Sequence, residues 1–161
     1  MTREIEIVVG VENVPKTVCV RSTLTRIDYT DAVTLATEAI DATPEEWIRA
    51  VFEESPIGQS APLLWQALGL RLGPRPSPYH VQGWKIADRG ADWIRVETSS
   101  WMMSAQAVVQ AAGGKVSLAL FLRYDSPIAA WIWRVVSVQH RRARPVLLHQ
   151  AMMVLRSRAA T

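Results

Sequence analysis

The chain has 161 residues, 49% hydrophobic and 20% charged, with a net charge of +3. That length fits one domain with a core large enough to need no staple, and a lone cysteine, Cys19, excludes an intrachain disulfide. No Cys/His cluster has zinc-ligand spacing, no run approaches the roughly 18 uncharged apolar residues of a membrane span, and the first residues lack a secretory-signal pattern. The expectation is a soluble, cytoplasmic protein with no metal. Tryptophan supplies seven of the twelve aromatic residues, an inversion of the usual order that suits ligand pockets and interfaces as well as cores.

In chain order, residues 4–11 and 18–24 are enriched in β-branched side chains and read as short strands, and DYTDAVTLAT (28–37) reads as a third. Thr43-Pro44-Glu45-Glu46 carries an N-cap, a proline at the first helical position and acids in the first turn. The helix it opens continues through Trp47, Ile48, Val51 and Phe52. Ser60-Ala61-Pro62 reads as the start of a second short helix, stopping near Gly69 or Gly73. The stretch Gly73–Pro78 is a proline-rich connector.

Four strands are expected next, over 80–88, 92–99, 102–111 and 116–124, with Gly113-Gly114 as a hairpin turn. Ser126-Pro127 then opens a helix running to about Arg158, which Pro145 should kink. Helical projection places Ile128, Ile132, Val135, Val136, Gln139 and Ala143 on its inner face and Arg134, Ser137 and Arg141 on the opposite one. Residues 123–161 hold seven arginines against one aspartate, whereas the remainder holds 11 basic and 14 acidic residues. Arg134, Arg141, Arg142 and Arg144 invite a phosphate-binding reading, but no nucleic-acid motif frames them, and a solvated helix face is the simpler account.

The order of these elements resembles the START-like, or helix-grip, architecture of polyketide cyclases and lipid-transfer proteins. Three segments are similar to an uncharacterised bacterial family within that superfamily: Ile27-Asp28-Tyr29-Thr30-Asp31-Ala32, Val116-Ser117-Leu118 leading to Arg123–Pro127, and His140-Arg141-Arg142 followed by Pro145–Leu148. The resemblance covers about residues 24–158. It implies an α+β domain over 24–161: a curved antiparallel sheet, two short helices and one long kinked C-terminal helix over a cavity. Residues 1–23 would form an N-terminal extension or extra strand. It also implies an apolar small-molecule ligand, with no cofactor, no nucleic acid and no membrane span.

Strand alternation inside such a fold assigns the expected lining. Gln82, Trp84, Thr98 and either Met102 or Met103 would face the cavity from the sheet, and Trp131 and Val135 from the helix. Trp93, Arg95, Glu97 and Trp101 would cover the outer face, with Arg95 and Glu97 paired. Tyr124 and Gln139 would orient or polarise a carbonyl, with His140 as a weaker base. For each of these three, a satisfied core or surface residue is the simpler account. No Ser-His-Asp set, HExxH, phosphate-cradling loop or dinucleotide fingerprint is present. The resulting expectation is a hydrophobic-ligand protein, acting as a cofactor-free cyclase or isomerase of secondary metabolism. A non-catalytic carrier or sensor, and an interaction module or homodimer built on Trp93, Trp101 or Trp133, are the alternatives.

Overall fold

The computed structural model describes residues 5–37 and 40–160, so Glu4, the first residue of the expected N-terminal strand, lies outside them. Seven strands form one curved antiparallel sheet: β1 (Ile5–Val9), β2 (Tyr29–Ala36), β3 (His80–Val81), β4 (Trp84–Arg89), β5 (Trp93–Ser99), β6 (Met103–Ala112) and β7 (Lys115–Tyr124). Their order across the sheet is β1-β2-β7-β6-β5-β4-β3. The chain therefore leaves β2 near one edge, crosses to the far edge through helices, and returns as a meander. The helix α4 (Pro127–Ala159) follows β7, and the whole arrangement fits a helix-grip in general.

Local chemistry sets the element ends. Gly113 and Gly114, at φ 61° and 74°, close the two-residue β6–β7 hairpin, whose register pairs Ala112 with Lys115. Thr43 caps α2 (Pro44–Arg49) in a capping box, accepting from the Glu46 N–H at 3.1 Å. A π-helical turn (Ala50–Glu54) then leads to α3 (Pro56–Ala67). That helix starts at Ser55-Pro56, five residues before the expected opening, because the Ser55 hydroxyl accepts from the Gly58 N–H at 3.0 Å.

Strand alternation divides the core. Val33, Leu35, Ile94, Val96, Ala105, Ala107, Leu118 and Leu120 meet α2, the π turn, α3 and α4 on the concave face. Ala32, Val108, Ala119 and Phe121 point the other way and are covered by Val14 and Val18.

The expected strand over 18–24 is corrected here. Lys16–Cys19 is a single helical turn, α1, and the following residues run as a loop across the convex face. Gln106 on that face receives the Ser22 hydroxyl and the Thr23 N–H, at 2.9 and 3.0 Å, and donates to Glu97. Arg95 donates to the Arg21 carbonyl at 2.7 Å, so the expected Arg95–Glu97 pair gives way to two separate bonds. Residues before 24 thus supply both an edge strand and a lid for the sheet's back.

α4 is α-helical across Pro145 without interruption. Its inner face matches the expected one only in part, for Ile132 and Val136 do pack against the core. Ile128 and Val135 are exposed, whereas Ala129, Trp133, Ser137, Arg144 and Leu148 are buried. Trp133, Ser137, His140 and Arg144 follow helical spacing, so a stripe rich in polar groups faces the sheet. The reason lies in β2.

Candidate functional site

Alternation along β2 turns Tyr29, Asp31, Val33 and Leu35 to the concave face. Asp31 is only 1% exposed. A carboxylate buried that deeply persists only when it is paired and hydrogen-bonded. α4 supplies the partners: the Arg144 guanidinium lies 3.0 Å from Oδ1, and His140 Nε2 lies 3.5 Å from Oδ2. The Tyr29 hydroxyl donates to Oδ2 at 2.5 Å. Arg144 also donates to the Leu118 carbonyl and contacts His140 Nε2 at 3.4 Å. Trp133 closes the cluster, edge-on to Tyr29 at 5.2 Å and 5.0 Å from the His140 ring.

The cluster sets its own protonation. Burial alone would raise the Asp31 carboxyl, but Arg144, His140 and the Tyr29 hydroxyl outweigh it and hold it at about 2. Burial lowers His140, helped by the charges of Arg144 and Arg141, while the bond to Asp31 opposes it; the net shift is downward. Burial and then the Asp31 charge raise the Tyr29 hydroxyl. At neutral pH the group is therefore an ion pair flanked by a neutral imidazole and a neutral phenol. Nε2 is the His140 nitrogen engaged by Asp31 and Arg144, which leaves Nδ1 as the nitrogen outside that contact.

Beside the cluster lies a partly open cavity of about 300 Å³ between the sheet, α3 and α4. Its size is at the lower end for small-molecule sites. The sheet contributes Trp84, Met103, Ala105, Ala107, Leu118, Leu120 and Leu122. Phe52, Trp65 and Trp84 form an aromatic wall with ring centroids 5.4 to 5.5 Å apart. Polar side chains at the lining are Ser60, Gln139, His140 and Arg144. The Ser60 hydroxyl is tied to the Ile57 carbonyl at 2.9 Å, so the free polar chemistry sits on α4. Gln139, which is exposed, borders the opening.

Of the residues singled out from the sequence, Trp84, Met103, Gln139 and His140 line this cavity. The other expected residues stand outside its lining. Gln82, at φ 48° in the β3–β4 turn, donates its amide to the Phe52 and Gly58 carbonyls and so anchors that turn to the helices. Thr98 faces inward but donates to the Arg71 carbonyl at 2.6 Å. Met102 packs with Leu68, Leu70 and Ala129 at the sheet's end, and Tyr124 packs beside them. Trp131 and Val135 are 70% and 66% exposed, a correction that follows from the rotated face of α4.

Two further expectations change. Arg144 is a buried ion-pair partner rather than part of a solvated or phosphate-binding face, and Trp133 is a core residue rather than an interaction surface. Tyr29, Asp31, Trp133 and Arg144 carry the site and were absent from the expected set. Their signal was present: an acid at a core position of an alternating strand demands a cation, and His140 and Arg144 stand one turn apart on a helix. Among the described residues, no three His, Cys, Asp or Glu side chains gather as metal ligands, and no helix is long and apolar enough to cross a membrane. No protein-family model, curated protein or solved structure matches the chain.

Proposed function

We propose that this chain is a START-like hydrophobic-ligand protein that holds an apolar small molecule between the sheet and α4. The observation that carries this reading is the cavity itself. About 300 Å³ of space is walled by aliphatic and aromatic side chains, with polar groups converging from one helix. A core optimised for stability alone would fill such a space, because interiors pack to near-crystalline density. The test combines native mass spectrometry of the purified protein with titration of N-phenyl-1-naphthylamine, a neutral fluorophore that brightens in apolar sites. A co-purifying apolar mass, or saturable binding lost in Ala143→Trp, supports the reading, since Ala143 lines the cavity. Unchanged fluorophore binding in a folded Ala143→Trp variant would sink it.

His140 favours a second reading, a cofactor-independent cyclase or isomerase. Its imidazole borders the cavity, is held neutral by burial and touches the Asp31 carboxylate, the arrangement a general base needs. Gln139 would polarise a carbonyl from the cavity mouth, whereas Tyr124 stands outside the lining and has no part in this scheme. Elimination of 5-nitrobenzisoxazole probes the base directly. The base removes the C3 proton, the N–O bond breaks, and a coloured cyanophenolate forms. The expected rate exceeds that of the buffer, falls in His140→Gln, and levels off above a pH lower than the usual 6.5 of histidine. A rate unaffected by His140→Gln removes the base from the mechanism.

A further inference from the structure

Resting on the binding reading above, we propose that the cavity selects an uncharged ligand: a largely aromatic body against Phe52, Trp65 and Trp84, and an acceptor oxygen at the Trp133–Gln139–His140 end. Ketones, quinones and lactones fit that description, and fatty acids do not.

The charge balance around the cavity argues this first. His140 and Arg144 are the ionisable side chains at its lining. The Arg144 cation is already matched by Asp31 at 3.0 Å, and its guanidinium also holds the Leu118 carbonyl. His140 is neutral. A carboxylate entering this space would shed its hydration and meet no unpaired cation, which apolar surroundings penalise heavily. A free acid whose carboxylate is buried in this space needs an unmatched cation, and here Asp31 has consumed it.

The division of the lining argues for the orientation. One end is an edge-to-face cluster of three aromatic rings. The other end carries Gln139 and His140 on α4, with Trp133 packed against His140 at 5.0 Å. The Trp133 Nε1–H is buried with no hydrogen-bond partner. Indole N–H is a donor only, so an acceptor atom is what it lacks. Trp84 Nε1 is likewise unpartnered but sits within the aromatic cluster. The Gln139 amide offers a second donor at the polar end, and neutral His140 offers donor or acceptor according to tautomer.

Three probes of one shape test the proposal: 9-fluorenone, fluorene, which lacks the oxygen, and 9-oxofluorene-4-carboxylate, which adds a charge. Calorimetry gives the affinities. Two-dimensional NMR of protein with ¹⁵N-tryptophan reads the Trp133 indole proton, assigned with Trp133→Phe. Fluorenone is expected to bind about fivefold tighter than fluorene, the yield of one neutral hydrogen bond, and to move the Trp133 proton downfield where fluorene does not. The carboxylate is expected to bind at least tenfold more weakly than fluorenone. In Asp31→Asn, which leaves the Arg144 charge unmatched, the carboxylate should gain about tenfold relative to fluorenone.

Equal binding of fluorenone and fluorene, a still Trp133 proton, or a carboxylate that binds wild type as well as the ketone would each overturn the proposal while leaving the cavity as a binding site. A folded Asp31→Asn variant with no gain for the carboxylate would also overturn the charge argument. Binding of none of the three probes would overturn this inference, and the proposed function falls with it only if N-phenyl-1-naphthylamine also fails to bind. The wild-type comparison stands even if Asp31→Asn fails to fold.

Discussion

Replacing Asp31 by Asn tests the central pairing with almost no change of shape. The carboxyl is held at about 2 in the folded protein against an ordinary 3.8. At ~1.4 kcal/mol per unit, that difference makes the ionised carboxylate worth about 2.5 kcal/mol of stability at neutral pH. Removing one partner of a buried pair costs roughly 3–5 kcal/mol, because the surviving charge is left unmatched. The two routes meet near 3 kcal/mol, a substantial share of a typical domain's 5–15 kcal/mol. Urea unfolding at pH 7 should show the midpoint falling by about 1–2 M, and thermal unfolding should shift by roughly 6–12 °C. Asp31→Asn with Arg144→Met should recover much of the loss, since no buried charge then remains. A single-variant loss below about 1 kcal/mol, or strict additivity in the double-mutant cycle, would refute the reasoning.

Acid sensitivity follows from the same cluster. Because His140 binds its proton less readily folded than unfolded, stability falls as pH drops below 6.5 toward its lowered folded value; Asp31 adds a second loss below about 3.8, complete only near 2. The first loss should flatten in His140→Gln when urea midpoints are measured from pH 7 to 5. Gly58→Ala would drive a methyl group onto the Val51 carbonyl and to 2.8 Å from the Phe52 carbonyl, both backbone atoms of the cavity wall. A loss of about 3 kcal/mol or more in urea unfolding is expected, and a neutral variant would show that the wall yields. Gln106→Ala removes the acceptor of the Ser22 hydroxyl and Thr23 N–H, so amide exchange at Thr23 should accelerate and stability fall by about 1–3 kcal/mol. Trp131→Ala and Val135→Ala, both on the exposed side of α4, should each change unfolding free energy by less than about 0.5 kcal/mol. Larger losses would restore these residues to the core face.

Elements whose signals are local were legible in the sequence. The Thr43-Pro44 and Ser126-Pro127 caps, the Gly113-Gly114 turn and the alternation of β5 and β7 depend on residues within a few positions of each other, and the structure forms them there. The strand expected over 18–24 failed for the complementary reason. β-branched residues are only a weak strand signal, and here Val18 packs on the sheet's back from a helical turn while Val20 is exposed. Within the site, alternation and helical spacing pointed to Trp84 and Gln139 and left Met102 and Met103 undecided, whereas Thr98 and Gln82 were lost to backbone carbonyls that only the folded chain brings near.

By itself the sequence determined an α+β chain, its meander of strands, its long terminal helix and the polar residues that helix could present. Only the tertiary structure decided which face of α4 turns inward. An apolar count favours burying Ile128 and Val135 with Ile132 and Val136, and that count is a sum over single residues. The burial of Asp31 in β2 adds a pairwise term, and matching one buried carboxylate outweighs the exposure of a few aliphatic side chains. That pairing rotates Trp133, His140 and Arg144 under the helix, leaves Trp131 outside, and sets the cavity's charge at zero.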